Sequence, residues 1–286
     1  IKQDGTAWAW GTGKDGRLAL NSPNDQRFSS PNQIGTDTNW GDISFGASGA
    51  SYGTKTDGTM WVWGRNNYGG LGLNSSDNEQ RFSSPVQLPG TNWAFGRHSC
   101  TGGEKMGAAV KQDGTLWTWG LGDGGAPGLN DQTTRSSPTQ VGTDTNWQRV
   151  TALTGHNPNL ARFCSGMKTD GTLWVWGNSA AGALGNNEGP GNNRSSPLQV
   201  PGTWKTDGYN VVSVATDNGA TMSCVKADGT LWGWGGNYDG QLGTNEAAYP
   251  SRMYSSPTQC GTATHWMKAT QACGYNKPAG IFISEA

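Results

Sequence analysis

The chain has 286 residues, among them 46 Gly and 15 Trp, with only 14% charged residues and a formal net charge of -1. That charge leaves no basic footprint for nucleic acid or an anionic membrane surface, and no apolar run approaches the roughly 18 residues needed to span a bilayer. Polarity carried by Gly, Asn, Ser and Thr beside so much Trp is the profile of short strands joined by many turns, not of a disordered chain.

Taken from its start, the chain opens on Ile1 without a Met, which fits a processed precursor or an excerpt of a longer protein. KQDGTAWAWG (2–11) follows, and its Asp4-Gly5 pair predicts a hairpin with a type I′ turn. Trp8 and Trp10, two apart on the strand after it, fall on one face because side chains alternate. A loose Gly-x-Leu-Gly comes next in several copies (69–72, 182–185, 240–243) and predicts a turn into a third short strand. Ser-Ser-Pro ending at Pro31 suits an outer edge, since proline lacks a ladder donor. A Gly-Thr and then Trp40 close the unit.

This unit recurs four more times, at 55–64, 111–120, 168–177 and 226–235, with Ser-Ser-Pro ending at Pro85, Pro138, Pro197 and Pro257 and closing tryptophans at Trp93, Trp147, Trp204 and Trp266. All 15 tryptophans are used, three per unit. The repeated pairs Trp61/Trp63, Trp117/Trp119, Trp174/Trp176 and Trp232/Trp234 match Trp8/Trp10 and are expected to fill the gaps between sheets. A strand of small and apolar residues precedes each turn, as in Gly107–Lys111, Cys164–Lys168 and Met222–Lys226. Four short strands per unit, repeated radially, predict an all-β fold, a β-propeller of four-stranded blades occupying residues 1–286 as a single domain. The last segment, AGIFISEA (279–286), matches the strand before the turn, Ile283 standing where Val110, Met167 and Val225 stand. It favours a ring of five blades closed by Gly280–Ser284 pairing beside Thr6–Trp10, the rival being an arc of a longer propeller whose other repeats are left out.

The units resemble the regulator of chromosome condensation repeat family, whose signature is an Asp-Gly-x-Leu/Val-x-x-Trp-Gly core followed by Gly-x-Leu-Gly. The resemblance covers essentially the whole chain and implies a β-propeller. It departs from the family's usual count of about seven blades: there are five units, spaced 53, 56, 57 and 58 residues between Asp-Gly turns.

No catalytic constellation emerges. His98, His156 and His265 lie in different units without His-x-x-x-His or Cys-x-x-Cys spacing, so no metal is expected and ordinary loop hydrogen bonding explains them. Asp4, Asp57, Asp113, Asp170 and Asp228 read as turn residues, and the repeated serines lack the singular setting of a nucleophile. SSDNE (75–79) and NYDG (237–240) miss calcium-loop spacing, and GDGGAPG (122–128) lacks the Lys and helix of a phosphate loop. No cofactor and no enzymatic activity are expected. Cys100, Cys164, Cys224, Cys260 and Cys273 are an odd number, so at least one is not paired within the chain, and the redox compartment stays open.

Specificity in a repeat protein sits where the repeat breaks. The variable stretch runs from the closing Trp to the pre-turn Lys or its equivalent, 15, 18, 21, 22 and 18 residues in chain order. It supplies the candidate binding residues Arg97, His98, Glu104 and Lys105, then His156, Asn157, Asn159 and Arg162, then Asn276 and Lys277, expected on loops of one face. A second variable set, Asn74–Phe82 and Ala247–Tyr254, is expected at the rim or the opposite face. Two readings stand. One is a structural or adhesive module of a phage virion or cell surface, extracellular, binding a protein, a glycan or other surface components. The other is a regulatory protein-binding propeller, such as a small-GTPase exchange factor or a secreted enzyme inhibitor. Neither involves nucleic acid or membrane insertion.

Overall fold

The structure, a computed structural model, describes the chain apart from residues 23–25, 46–48, 97–98, 104, 155–161, 207–210, 217–218, 239, 246–252, 275–276 and 285–286; the side chains of 153–154, 162, 211–216, 219–220, 267–274 and 277–284 also lie outside the description. The described elements are strands and short 3-10 turns, in two compact units: residues 1–123 with 131–156, and 124–130 with 157–286.

In the first unit β1 (Trp8–Thr12) pairs with β2 (Arg27–Gln33). A four-stranded antiparallel sheet follows, β3 (Trp40–Phe45), β4 (Ala50–Lys55), β5 (Met60–Arg65) and β6 (Arg81–Gln87), in sequence order. The next is β7 (Cys100–Gly102), β8 (Met106–Val110), β9 (Leu116–Gly120) and β10 (Arg135–Gln140), and β11 (Trp147–Thr154) packs on β7 and β8. In the second unit β12 (Arg162–Lys168), β13 (Leu173–Gly177) and β14 (Arg194–Val200) pair in the same order. They precede the four-stranded sheet β15 (Val211–Thr216), β16 (Gly219–Val225), β17 (Leu231–Gly236) and β18 (Met253–Gln259) and the pair β19 (Trp266–Gly274) and β20 (Lys277–Ser284). First strands approach one another within each unit, β3 on β7 and β15 on β19, which is how propeller blades converge. The fold is an all-β propeller architecture of four-stranded blades.

The structure corrects the phase of the repeat. A sheet starts at the closing Trp of one repeat and takes its last two strands from the next. The variable stretch is therefore not one loop: it holds the first strand, a turn and the second strand. Among the described residues no third strand lies between Gly-x-Leu-Gly and the strand that holds Ser-Ser-Pro. Tight 3-10 turns such as Lys14–Gly16, Asn67–Gly69 and Ala180–Gly182 come before this point, the latter two ending on the first glycine of the string, and pack on the following sheet. Ser-Ser-Pro lies inside the fourth strand, as in β6 and β14. The turn chemistry also differs from type I′, because Gly5 (φ 76°) and its equivalents have positive φ while the aspartates before them do not. Lys2 and Thr6 close a three-residue loop, Lys2 N donating to Thr6 O and Gly5 N to Lys2 O, the type I turn with a glycine bulge. β1 pairs with β2, and β20 pairs with β19 along a ladder from Trp266↔Ser284 to Gly274↔Lys277, a hairpin long enough to stand as its own sheet.

The second Trp of each pair joins successive repeats. The indole N–H of Trp63 donates to Arg17 O, Trp119 to Gly70 O, Trp176 to Ala126 O and Trp234 to Ala183 O, at 2.7–3.0 Å, in each case the carbonyl of the preceding repeat's turn. All four side chains are fully buried, so each satisfies its one polar atom inside the core. The glycine after the pair lets this happen. Gly64 sits at a bulge with φ 91°, and a Cβ there would lie 1.7 Å from Gly49 O. Trp10 departs from the pattern at 60% exposure.

Candidate functional site

Antiparallel order sends the Asp-Gly hairpins to one end of each sheet and the turns between first and second strands to the other. At the Asp-Gly end the repeated polar residues are spent on one another. Asp57 Oδ1 accepts from Thr59 N (2.9 Å) and Thr59 Oγ1 (2.7 Å), and Thr59 Oγ1 in turn accepts from Trp61 Nε1 (3.0 Å). The same relay recurs at Asp4, Asp113, Asp170 and Asp228. The threonine hydroxyl holds each carboxyl below its usual range, that of Asp4 at about 2. Beside the relay the pre-turn lysine lies over indoles. Lys55 Nζ is 4.0 Å from the Trp61 ring and 4.9 Å from Trp40; Lys111 and Lys226 repeat this on Trp117/Trp93 and Trp232/Trp204. Lys55 also meets Asp37 at 2.9 Å. The end is built for cohesion, through cation–π contact and charge-assisted hydrogen bonds.

The other end carries the variation. Asn74–Phe82 leads from β5 to β6 and so lies at this same end, not opposite it. Of the ten candidate residues, Arg97, His98, Glu104, His156, Asn157, Asn159 and Asn276 lie outside the described residues. Arg162 opens β12 and Lys277 opens β20. Lys105 is described and is not a free loop cation: it is 9% exposed, its ammonium lies 5.4 Å from the Tyr68 ring, and its carbonyl accepts from Leu121 N. The arginines opening fourth strands are paired here too, Arg81 with Asp15 (2.8 Å) and Glu79 (3.5 Å), Arg135 with Asp131 (2.7 Å) and Arg194 with Glu188. Phe45, at the end of β3, and Tyr68 are exposed aromatics at this end that the sequence did not single out. Nothing in their local strings distinguishes them from buried counterparts.

The cysteines offer no reactive centre among the described residues. Cys100, Cys164, Cys224 and Cys260 are buried thiols whose ionisation burial opposes, Cys260 being pushed up to about 12. Among the described residues no group of three His, Cys, Asp or Glu side chains could hold a metal ion.

The regulator of chromosome condensation (RCC1) repeat matches residues 57–98, the stretch from one Asp-Gly turn through the next closing Trp. That stretch is similar to the RCC1 repeat. The RCC1 domain-containing protein RUG3, mitochondrial, of Arabidopsis thaliana is 29% identical over 262 residues, covering 84% of this chain and 56% of the relative. The ultraviolet-B receptor UVR8 of the same plant is 27% identical over 240 residues, 82% of this chain and 50% of the relative. The chain thus spans about half the length of these RCC1-type relatives. Among solved structures, Prp20p of Saccharomyces cerevisiae, described with its binding properties to Gsp1p and histones, superposes with a TM-score of 0.72 at 16% identity over 99% of this chain and 65% of its own. That likeness shows the propeller fold. These relatives, a mitochondrial protein among them, overturn the expected extracellular or virion-surface location, which rested on the uniformity of the repeats, their low charge and their polar loops.

Proposed function

We propose that residues 1–286 act as one non-enzymatic, regulatory protein-binding propeller of the RCC1 type, recognising a protein partner through the variable turn end. The observation that carries this reading is the division of labour between the two ends. The invariant Asp, Thr, Lys and Trp side chains are engaged with one another at one end, while the other varies in length and chemistry from repeat to repeat. The likeness to Prp20p, described with its binding to Gsp1p and histones, supports a protein as the partner; glycan and particle components find no support there. A small GTPase of the Gsp1p kind is the finer candidate, by analogy with Prp20p.

The test is binding of a nucleotide-free small GTPase and of histones to the intact chain and to two block variants. One replaces Arg97 and His98 by Ala; the other replaces His156, Asn157 and Asn159. Loss of binding in either block with an unchanged melting temperature supports the reading. Binding unaffected by both blocks, or absent for both proteins, rejects it.

A further inference from the structure

Repeats serve as controls for one another, and at one junction inside the first unit they differ in charge. The Lys14–Gly16 turn packs on β5 and β6. Asp15, its left-handed residue (φ 59°), stands where the later turns have Tyr68, Gly124 and Ala181. Arg17 stands where they have Gly70, Ala126 and Ala183. Arg65, which follows the bulge glycine of β5, stands where the other repeats have Thr12, Leu121, Asn178 and Gly236. None of these counterparts is charged, and a repeat protein places specificity where its repeat breaks.

The three departures meet at one point. A Cβ on Gly49 would lie 3.5 Å from Arg65 Cβ, 3.8 Å from Arg17 Nη2 and 3.8 Å from Asp15 Cβ. Arg65 and Arg81 are direct cross-strand partners on β5 and β6, so their side chains share a face, and like charges so placed repel. The carboxylate at this point is already engaged: Asp15 accepts from Arg81 Nε at 2.8 Å and lies 3.8 Å from Arg17. Glu79 reaches Arg81 at 3.5 Å but is 78% exposed, and solvent screens it. Arg65 makes no side-chain hydrogen bond or ion pair among the described residues, and its Nε is buried. An unpaired buried donor on a cation is costly, and here it is kept with a like charge directly opposite.

We propose that Arg17, Arg65 and Arg81 form a binding site for a phosphate dianion. Three guanidinium groups against the Asp15 carboxylate leave two positive charges over. A phosphate group carries about −1.5 to −2 at neutral pH and matches them, whereas a monoanion leaves one uncompensated. Guanidinium forks pair with phosphate oxygens two at a time, and the unpaired Arg65 Nε is a donor for one of those oxygens. Asp15 acts in two ways: it orients the Arg81 fork, and its charge opposes the ligand. The phosphate is the free ion or a monoester borne by a small molecule. The site is independent of which protein the variable turn end recognises.

Isothermal titration calorimetry of the intact chain at neutral pH and constant ionic strength tests this, with inorganic phosphate, O-phosphoserine and acetate as probes. A phosphate probe is expected to bind one per chain and acetate not to bind; the tighter of the two phosphates tells free ion from monoester. Arg65→Gln is expected to weaken binding at least about tenfold. Its melting temperature without phosphate is expected to stay the same or rise, because a repelling charge is gone. Asp15→Asn, which a φ of 59° accommodates, is expected to tighten binding severalfold by removing the opposing charge. A fold defect weakens binding in either variant, so the opposite signs belong to the site alone. Three results overturn the proposal: neither phosphate binds, acetate binds as well as phosphate, or the two variants shift affinity in the same direction.

Discussion

The indole N–H of Trp119 and the hydroxyl of Tyr52 converge on one carbonyl, that of Gly70, at 2.7 and 2.6 Å. Tyr52 belongs to the sheet that Gly70 leaves, and Trp119 to the next. A single peptide in the turn after β5 is therefore held from both sides, inside a core where both donors are fully buried. Neighbouring blades are joined by backbone acceptors whose position depends on the tight turn, not only by apolar area.

Trp119→Phe is expected to destabilise the chain by about 1–3 kcal/mol, since it deletes a buried donor and part of the packed volume. Trp10→Phe, at the exposed equivalent, is expected to change stability by no more than about 0.5 kcal/mol in dilute solution. Urea denaturation of the two variants checks the contrast. Equal effects would show that burying the Trp119 indole against Gly70 O contributes nothing to stability.

Lys55 is 4% exposed, lies between two indoles and meets a carboxylate that is half exposed. The pairing with Asp37 is worth little by itself, because one partner is solvated. The indole contacts dominate, being short and desolvated. Lys55→Met keeps the stem and removes the charge, and is expected to cost about 1–2 kcal/mol, whereas Asp37→Ala costs under about 1 kcal/mol. Thermal denaturation at low and high salt checks this; a larger loss for Asp37→Ala would reverse the ranking.

The blade architecture was legible in the sequence because its signals are local. An Asp-Gly turn, alternating tryptophans and an edge proline each specify geometry within a few residues. The first strands were not legible: WGDISF (40–45) and CTG (100–102) are short, share no motif and show no sustained alternation, so they merged with the turns beside them. Nor was the phase of the sheets, since the repeat string is the same wherever a blade boundary falls. Trp10 and Trp63 sit in near-identical strings and differ wholly in exposure, because the neighbour, not the strand, decides burial. The candidate turn residues were the least legible. Lys105 looked like a loop cation, but only the fold brings Tyr68 beneath it.

The five turn aspartates give the chain an acid-side dependence whose sign follows from their environment. Thr hydroxyl and backbone N–H donors favour the carboxylate form, so each folded-state pKa lies below the unfolded value of about 3.9. A depressed pKa contributes stability that is present in full above the unfolded value and is lost as pH falls through the folded one, here from about pH 4 down to about 2 for Asp4. Within that window the unfolded chain binds more protons than the folded chain, and the urea midpoint is expected to fall steadily. Asp57→Asn, Asp113→Asn and Asp170→Asn together remove three titrating groups while keeping an acceptor, and are expected to flatten the slope without shifting the plateau above pH 5 by more than the lost hydrogen-bond strength. Urea midpoints collected from pH 6 to pH 2 on both proteins decide the matter, and identical slopes would place the acid sensitivity elsewhere in the chain.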